Sequence, residues 1–399
     1  MTQISGEVAS GFEPVAEAFE ASFTRPEMGA ALCIYLHGTK VVDLWGGTAD
    51  ARTGAAWSPE TLNIIFSCTK GLMSLLVAQL VEEGLLDYQA PVSRYWPEFA
   101  ASGKTSITVA QAISHRAGLS APRIDLHRAD IVDWQKMAAY LAAENPLWPP
   151  GSGYAYHALT HGWLTGELVR RVTGLSAGEA FVQRIATPLN AEAWIGLPAQ
   201  YRARVAHLLA GATHGAPAGP PPAKDSDAYW LERATTLGDA LPPALITPDG
   251  GFNDPSLWSA EIPGAGGISS ADALARIWSA AVVETGGVRL LAPETVAAAT
   301  KVQSEGAPVF AVPAPWPRFG MGFLLDCDTR RLLTPNGFGH DGAGGQVAFA
   351  EPGIGLGFAY LTNLLEGAGD GRANGVVDAL RGLPQIAAAP NVHPRRPAT

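Results

Sequence analysis

Leu62-Asn63-Ile64-Ile65-Phe66-Ser67-Cys68-Thr69-Lys70-Gly71-Leu72-Met73-Ser74-Leu75-Leu76-Val77-Ala78-Gln79-Leu80-Val81-Glu82-Glu83-Gly84 carries the decisive pattern of this 399-residue chain. Leu62–Phe66 is a β-rich run, and the segment from Ser67 to Glu83 reads as a helix ended by Gly84. Its apolar side chains (Leu72, Met73, Leu75, Leu76, Val77, Leu80, Val81) lie nearly all round the axis, which predicts a helix buried inside a larger body. At its start stands Ser67-Cys68-Thr69-Lys70, the one Ser-x-x-Lys of the chain. The i,i+3 spacing puts both side chains on one helix face.

Working outward, Ala30–His37 and Lys40–Trp45 are β-rich runs separated by Gly38-Thr39. Glycine first in a two-residue loop predicts a type II′ hairpin. Between about 100 and 240 the pattern is helical, clearest at Thr108–Ser114, Ile131–Ala143 and His157–Val172. After a further helix, Ala271–Val283, the chain returns to strands. Gly345–Ala350 and Leu356–Asn363 flank Glu351-Pro352-Gly353 as a second hairpin. Strands at both ends with helices between predict an α+β fold, one antiparallel sheet assembled from both termini and flanked by helices. The expected division is an α/β domain from 1–98 and 241–386, a helical insertion over 99–240, and a flexible tail from 387 to 399. Gly211–Asp227, with Gly219-Pro220-Pro221-Pro222, reads as a long loop or flap.

Composition excludes several classes. With 47% apolar and 16% charged residues the chain can bury a core and is not disordered. A net charge of −10 without a basic block argues against nucleic acid or an anionic membrane surface as partner. No apolar run is long enough to cross a bilayer. The N-terminus lacks the basic start and apolar stretch of a signal peptide, so a soluble cytoplasmic protein is expected. Cys33, Cys68 and Cys327 are odd in number and scattered, which predicts neither a disulfide framework nor a Cys-type zinc site.

A serine hydroxyl becomes a nucleophile when a base takes its proton, and a neutral amine can do so. Lysine near pKa 10.4 must lose roughly three units to serve at pH 7, and burial in an apolar helix supplies that shift. The same two residues read equally well as an N-cap serine and a solvated first-turn lysine. Pro149-Pro150-Gly151-Ser152-Gly153-Tyr154-Ala155-Tyr156 forms a turn before the helix that ends at Gly174, and a tyrosine there could exchange protons with the pair. Gly339-His340-Asp341-Gly342-Ala343-Gly344-Gly345 leads into a strand, where dense glycine lets backbone N–H groups approach a ligand.

Ser67-x-x-Lys70, Tyr156 and His340-Asp341-Gly342 together resemble the three motifs of serine hydrolases with the class C β-lactamase fold, most closely the family VIII carboxylesterases. Glu83–Asp87, Ile113–Leu119, Pro263–Gly267 and Leu361–Asn363 add to the likeness, which covers about residues 12 to 385. The resemblance implies Ser67 as nucleophile, Lys70 as its base, Tyr156 as proton relay, and an oxyanion hole of the Ser67 and Ala343 N–H groups. Two departures follow. Tyr156-His157-Ala158 lacks the amide of the β-lactamase Tyr-x-Asn, and His340 replaces a lysine that would hold a lactam carboxylate. Both point to neutral esters.

Other motifs have structural readings. Gly174-Leu175-Ser176-Ala177-Gly178 matches a nucleophile elbow, yet a helix precedes it, and Ser176 with Glu179 forms a capping box. Gly337-x-Gly339-x-x-Gly342 opens no helix, so it is not a dinucleotide fingerprint. His157 and His161 have no glutamate or third ligand to make a metal site. The expectation is therefore a serine esterase without cofactor or metal, acting on a small short-chain ester through an acyl-enzyme. His340, Gly342, His157 and Trp148 are the expected substrate contacts, Trp148 and Trp316 as walls of an acyl pocket. A β-lactamase, D-amino-acid amidase or peptidase, or acyltransferase on the same site is the alternative. Monomer and homo-oligomer both stay open.

Overall fold

Two ends of the chain meet in one antiparallel sheet. The structure, a computed structural model, describes residues 3–215, 220–367, 369–389 and 392. Among them the main sheet comprises β1 (Ile4–Val8), β2 (Gly29–Leu36), β3 (Thr39–Asp50), β4 (Ala55–Ala56), β5 (Arg318–Phe319), β6 (Leu324–Leu325), β7 (Phe338–Asp341), β8 (Val347–Glu351) and β9 (Leu356–Thr362). The order across the sheet is β1-β3-β2-β9-β8-β7-β6-β5, with β4 on β3. The seam is β2 against β9, Cys33 opposite Ala359.

Those two strands are apolar at almost every position because both sheet faces are covered. On one face lie α1 (Glu13–Ala21) and α5 (Arg372–Arg381), packing Phe19, Val376 and Leu380 on Ile34 and Phe358. On the other lie α2 (Cys68–Glu82) and α4 (Ala271–Ala280), which put Leu72, Leu76 and Trp278 against Cys33 and Ala359. Helix α3 (Thr160–Thr173) packs behind α2. The arrangement is the α+β one expected from the sequence, an antiparallel sheet built from both chain ends and flanked by helices. As its pattern predicted, α2 is buried on nearly every side.

The first hairpin differs in its turn. The loop is His37-Gly38, one residue earlier than expected, and both residues have positive φ, 49° and 78°. That is the type I′ geometry, which suits the twist of the flanking strands. The second hairpin pairs β8 with β9 as expected, closed by a single helical turn at Pro352–Ile354. Helices Val109–Ile113 and Trp134–Ala143 begin at Thr108 and Asp133, whose side chains cap them. A small sheet of Asn63–Ile64, Gly267–Ser269 and Ala193–Ile195 delivers the chain to Phe66.

Part of the expected tail is ordered: Ala387 ends a one-turn helix, Pro384–Ala387, with Ile386 buried. Residues 390, 391 and 393–399 lie outside the described residues, as do 216–219 of the 211–227 loop.

Candidate active site

Phe66 makes the corner from which the site is built. Its φ of 44° is a left-handed conformation uncommon for an aromatic residue. Burial holds it there, with the Phe252 ring edge-on at 5.2 Å. The corner sets Ser67 at the N-cap position of α2, yet its hydroxyl makes no capping bond. Instead Ser67 Oγ lies 3.0 Å from Lys70 Nζ.

Lys70 is fully buried rather than solvated. Its Nζ donates to Ala158 O at 2.6 Å and to Gly264 O at 2.7 Å. Burial lowers its pKa to about 7, against a smaller opposing pull from the Asp341 charge. Tyr156 closes the triangle. Its ring centroid is 4.8 Å from Lys70 Nζ, and the Ser67 side chain beside its phenol opposes in part the effect of burial on that group. Burial raises the phenol's pKa far above its ordinary value, so the hydroxyl keeps its proton at neutral pH. Phe319, stacked at 5.7 Å, and His115 at 4.9 Å fix the ring.

The third motif arrives along β7. A Cβ on Gly342 would fall 2.4 Å from Ile65 O, so glycine is what lets this turn lie against the corner before Ser67. Among the described residues, neither the Ser67 nor the Ala343 backbone N–H has a hydrogen-bond acceptor. A cavity of about 430 Å³ opens onto both, bounded by Phe66, Tyr156, Leu159, Leu245, Phe319 and Leu324. It offers an alcohol, a phenol and two free N–H donors at one apolar crevice, with the buried Lys70 amine behind the alcohol, which is equipment for acyl transfer.

His340 and Gly342 line this cavity. His340 Nδ1 sits 2.7 Å from Asp341 O, and burial pushes its pKa down to about 4, so it presents no cation at neutral pH. His157 and Trp148 require correction, since neither lines the cavity. His157 precedes α3 and is fully buried. Its Nδ1 meets Ala155 O at 2.7 Å and its Nε2 accepts from Leu119 N at 3.1 Å, leaving nothing for a substrate. Trp148 packs edge-on against Phe310 and donates to Gly153 O. The wall expected from Trp316 comes instead from Pro317 and Phe319.

The remaining motifs are structural. Gly174 caps α3 with φ 73°, and Ser176 forms the capping box with Glu179. Cys68 is buried and donates to His340 O at 3.2 Å. Among the described residues no group of three or more His, Cys, Asp or Glu could hold a metal ion, and no helix is long and apolar enough to cross a membrane.

Known proteins resemble this chain over nearly its whole length. The beta-lactamase family profile matches residues 15–383. The esterase/beta-lactamase LipL of Mycobacterium tuberculosis is 34% identical over 373 residues, covering 91% of this chain and 83% of LipL. A crystal structure of a family VIII carboxylesterase superposes with TM-score 0.84 at 35% identity, over 94% of this chain and 98% of the other. EstA from Arthrobacter nitroguajacolicus gives TM-score 0.82 at 34% identity, over 97% and 99%. The chain belongs to the beta-lactamase family, as its likeness to the family VIII carboxylesterases implied.

Proposed function

We propose that the protein is a serine carboxylesterase acting through an acyl-enzyme on Ser67. One observation carries this reading: the three neighbours of Lys70 Nζ are two carbonyls and one hydroxyl. A neutral amine has two N–H bonds and one lone pair. With both N–H groups given to Ala158 O and Gly264 O, the lone pair is left for the Ser67 proton. A pKa of about 7 makes that neutral form abundant at neutral pH.

In the proposed sequence Ser67 Oγ attacks the ester carbonyl and its proton passes to Lys70. The oxyanion is held by the N–H groups of Ser67 and Ala343. Tyr156 gives its proton to the departing alkoxide and recovers one from Lys70, which returns to the neutral amine. Water then attacks the acyl carbonyl as it loses a proton to the same pair; the Ser67 Oγ–acyl bond breaks, the pair returns the proton to Oγ, and the acid leaves. An apolar lining supports uncharged esters, and the esterase names of LipL and the carboxylesterase neighbour support the same class. Short acyl chains and a cytoplasmic setting belong to this proposal.

The test is turnover of p-nitrophenyl butyrate by wild type and Ser67→Ala, with fluorophosphonate labelling mapped by mass spectrometry. Loss of turnover with retained circular dichroism, and a label on Ser67, are expected. Retention of most activity in the variant overturns the assignment. Faster turnover of nitrocefin or a D-amino-acid amide than of any ester would move the reading to the lactamase or amidase alternative.

A further inference from the structure

We propose that the Asp341 carboxylate is a charge filter, which makes the site select acyl donors without a negative charge near the scissile bond. The proposal rests on the esterase reading above and names a determinant of its substrate class. Among the described residues lining the cavity, Asp341 is the one carboxylate, and no Lys or Arg lines it. It ends β7, between His340 and the turn that carries the Ala343 N–H; it lines the cavity, and its side chain is 37% exposed.

Its counter-charge is weakly engaged. Arg330 Nε and Nη2 both stand 3.4 Å from Asp341 Oδ2, long for a bidentate pair, while Nη1 donates to Asn374 Oδ1 at 2.6 Å. Lys70 cannot receive a substrate anion, because its Nζ is enclosed by Ser67, Ala158 and Gly264. His340 Nε2 has no partner among the described residues, and with the proton held on Nδ1 toward Asp341 O it offers a lone pair, not a donor. A substrate carboxylate entering this crevice therefore meets one like charge and no free cation. Repulsion of that kind, across a partly solvated cleft, corresponds to about tenfold in kcat/KM and weakens with salt.

Two matched substrate pairs test it. Methyl 4-acetoxybenzoate and 4-acetoxybenzoate differ by a carboxylate on the leaving phenol; 4-nitrophenyl hexanoate and 4-nitrophenyl hydrogen adipate differ by one on the acyl chain. The readout is the anionic-to-neutral ratio of kcat/KM, in which general damage to the site cancels. Asp341→Asn is expected to raise that ratio about tenfold in at least one pair, and Arg330→Gln to lower it. Raising sodium chloride to about 0.5 M should move the wild-type ratio toward that of Asp341→Asn. A ratio unmoved in both pairs, or one that moves the same way in the two variants, overturns the filter. Should Asp341→Asn fail to fold, Arg330→Gln and the salt series still decide it. If wild type hydrolyses neither neutral ester, the esterase reading falls and this proposal with it; neutral turnover with unmoved ratios removes the filter alone.

Discussion

Gly162 on α3 lies flat against Gly264: a Cβ on residue 162 would fall 2.0 Å from the Gly264 nitrogen and 2.5 Å from the Pro263 carbonyl carbon. No real side chain sits that close to backbone. The contact brings Gly264 O onto Lys70 Nζ, so the proposed base is oriented from a different helix than its own. Gly162→Ala should push the 263–264 segment away, at about 1–3 kcal/mol of stability, typical of overpacking. Activity should fall further than the lost folded fraction accounts for, about tenfold in kcat. Thermal melts alongside kcat normalised to fluorophosphonate-reactive sites check this; unchanged normalised kcat would show that Gly264 does not orient the amine.

Lys70 ties activity and stability to pH in the same direction. The proposed base works unprotonated, so kcat/KM should rise through a pH of about 7 and level off above it. Asp341→Asn removes the charge that opposes the shift and should move that limb to lower pH. For stability the sign follows from proton counting. Between the folded pKa of about 7 and the ordinary lysine value, the unfolded chain holds a proton that the folded chain lacks. This group therefore makes stability rise with pH across that window, by at most about 1.4 kcal/mol per unit. Lys70→Met lacks the titration, so its Tm relative to wild type should drop steadily from pH 7 to 9. A constant Tm difference would contradict the lowered pKa.

The parts of this architecture that were legible in the sequence are local ones. Ser67 and Lys70 share a helix face by spacing alone, and the all-round apolar pattern of Leu72–Val81 announced burial. Tyr156 and the 340–343 turn entered through their likeness to known motifs, not through any pattern of their own. What stayed hidden lies in backbone. The carbonyls of Ala158 and Gly264, which enclose Lys70, have no side-chain signature, and the left-handed Phe66 breaks the usual preference for glycine or asparagine there. His37 holds a left-handed turn position that its residue type does not announce, which sets the hairpin loop one residue before Gly38-Thr39. His157 was expected on a helix face at the cleft; α3 starts later, at Thr160, and the ring turns into the protein. Asp341 passed as part of a motif, because its isolation is a property of the whole cavity wall.

Tyr156→Phe separates proton transfer from packing. The ring keeps its stack on Phe319 and its contact with His115, so Tm should change little. The hydroxyl beside Ser67 is gone, and kcat should fall about 10²–10⁴-fold, the range for losing a proton donor. Because burial keeps this phenol protonated, its removal should leave the limb near pH 7 in place in whatever activity remains. Disappearance of that limb in Tyr156→Phe would transfer the role of base from Lys70 to the tyrosine.

Acyl selection should respond to Leu324, a buried residue of β6 at the cavity wall. Truncation to alanine removes apolar wall from a cavity of about 430 Å³ and enlarges the space for a chain. Each methylene accommodated in a hydrophobic pocket is worth about 1–3 kcal/mol in transition-state binding. Leu324→Ala should therefore raise the octanoate-to-butyrate ratio of kcat/KM by about tenfold, at about 2–5 kcal/mol of stability. A p-nitrophenyl ester series from acetate to decanoate, read below the variant's Tm, measures it. The crevice that Phe66, Leu159, Phe319 and Leu324 enclose is the acyl side if the ratio climbs; if preference instead changes among alcohols of one acyl group, the same wall holds the leaving group.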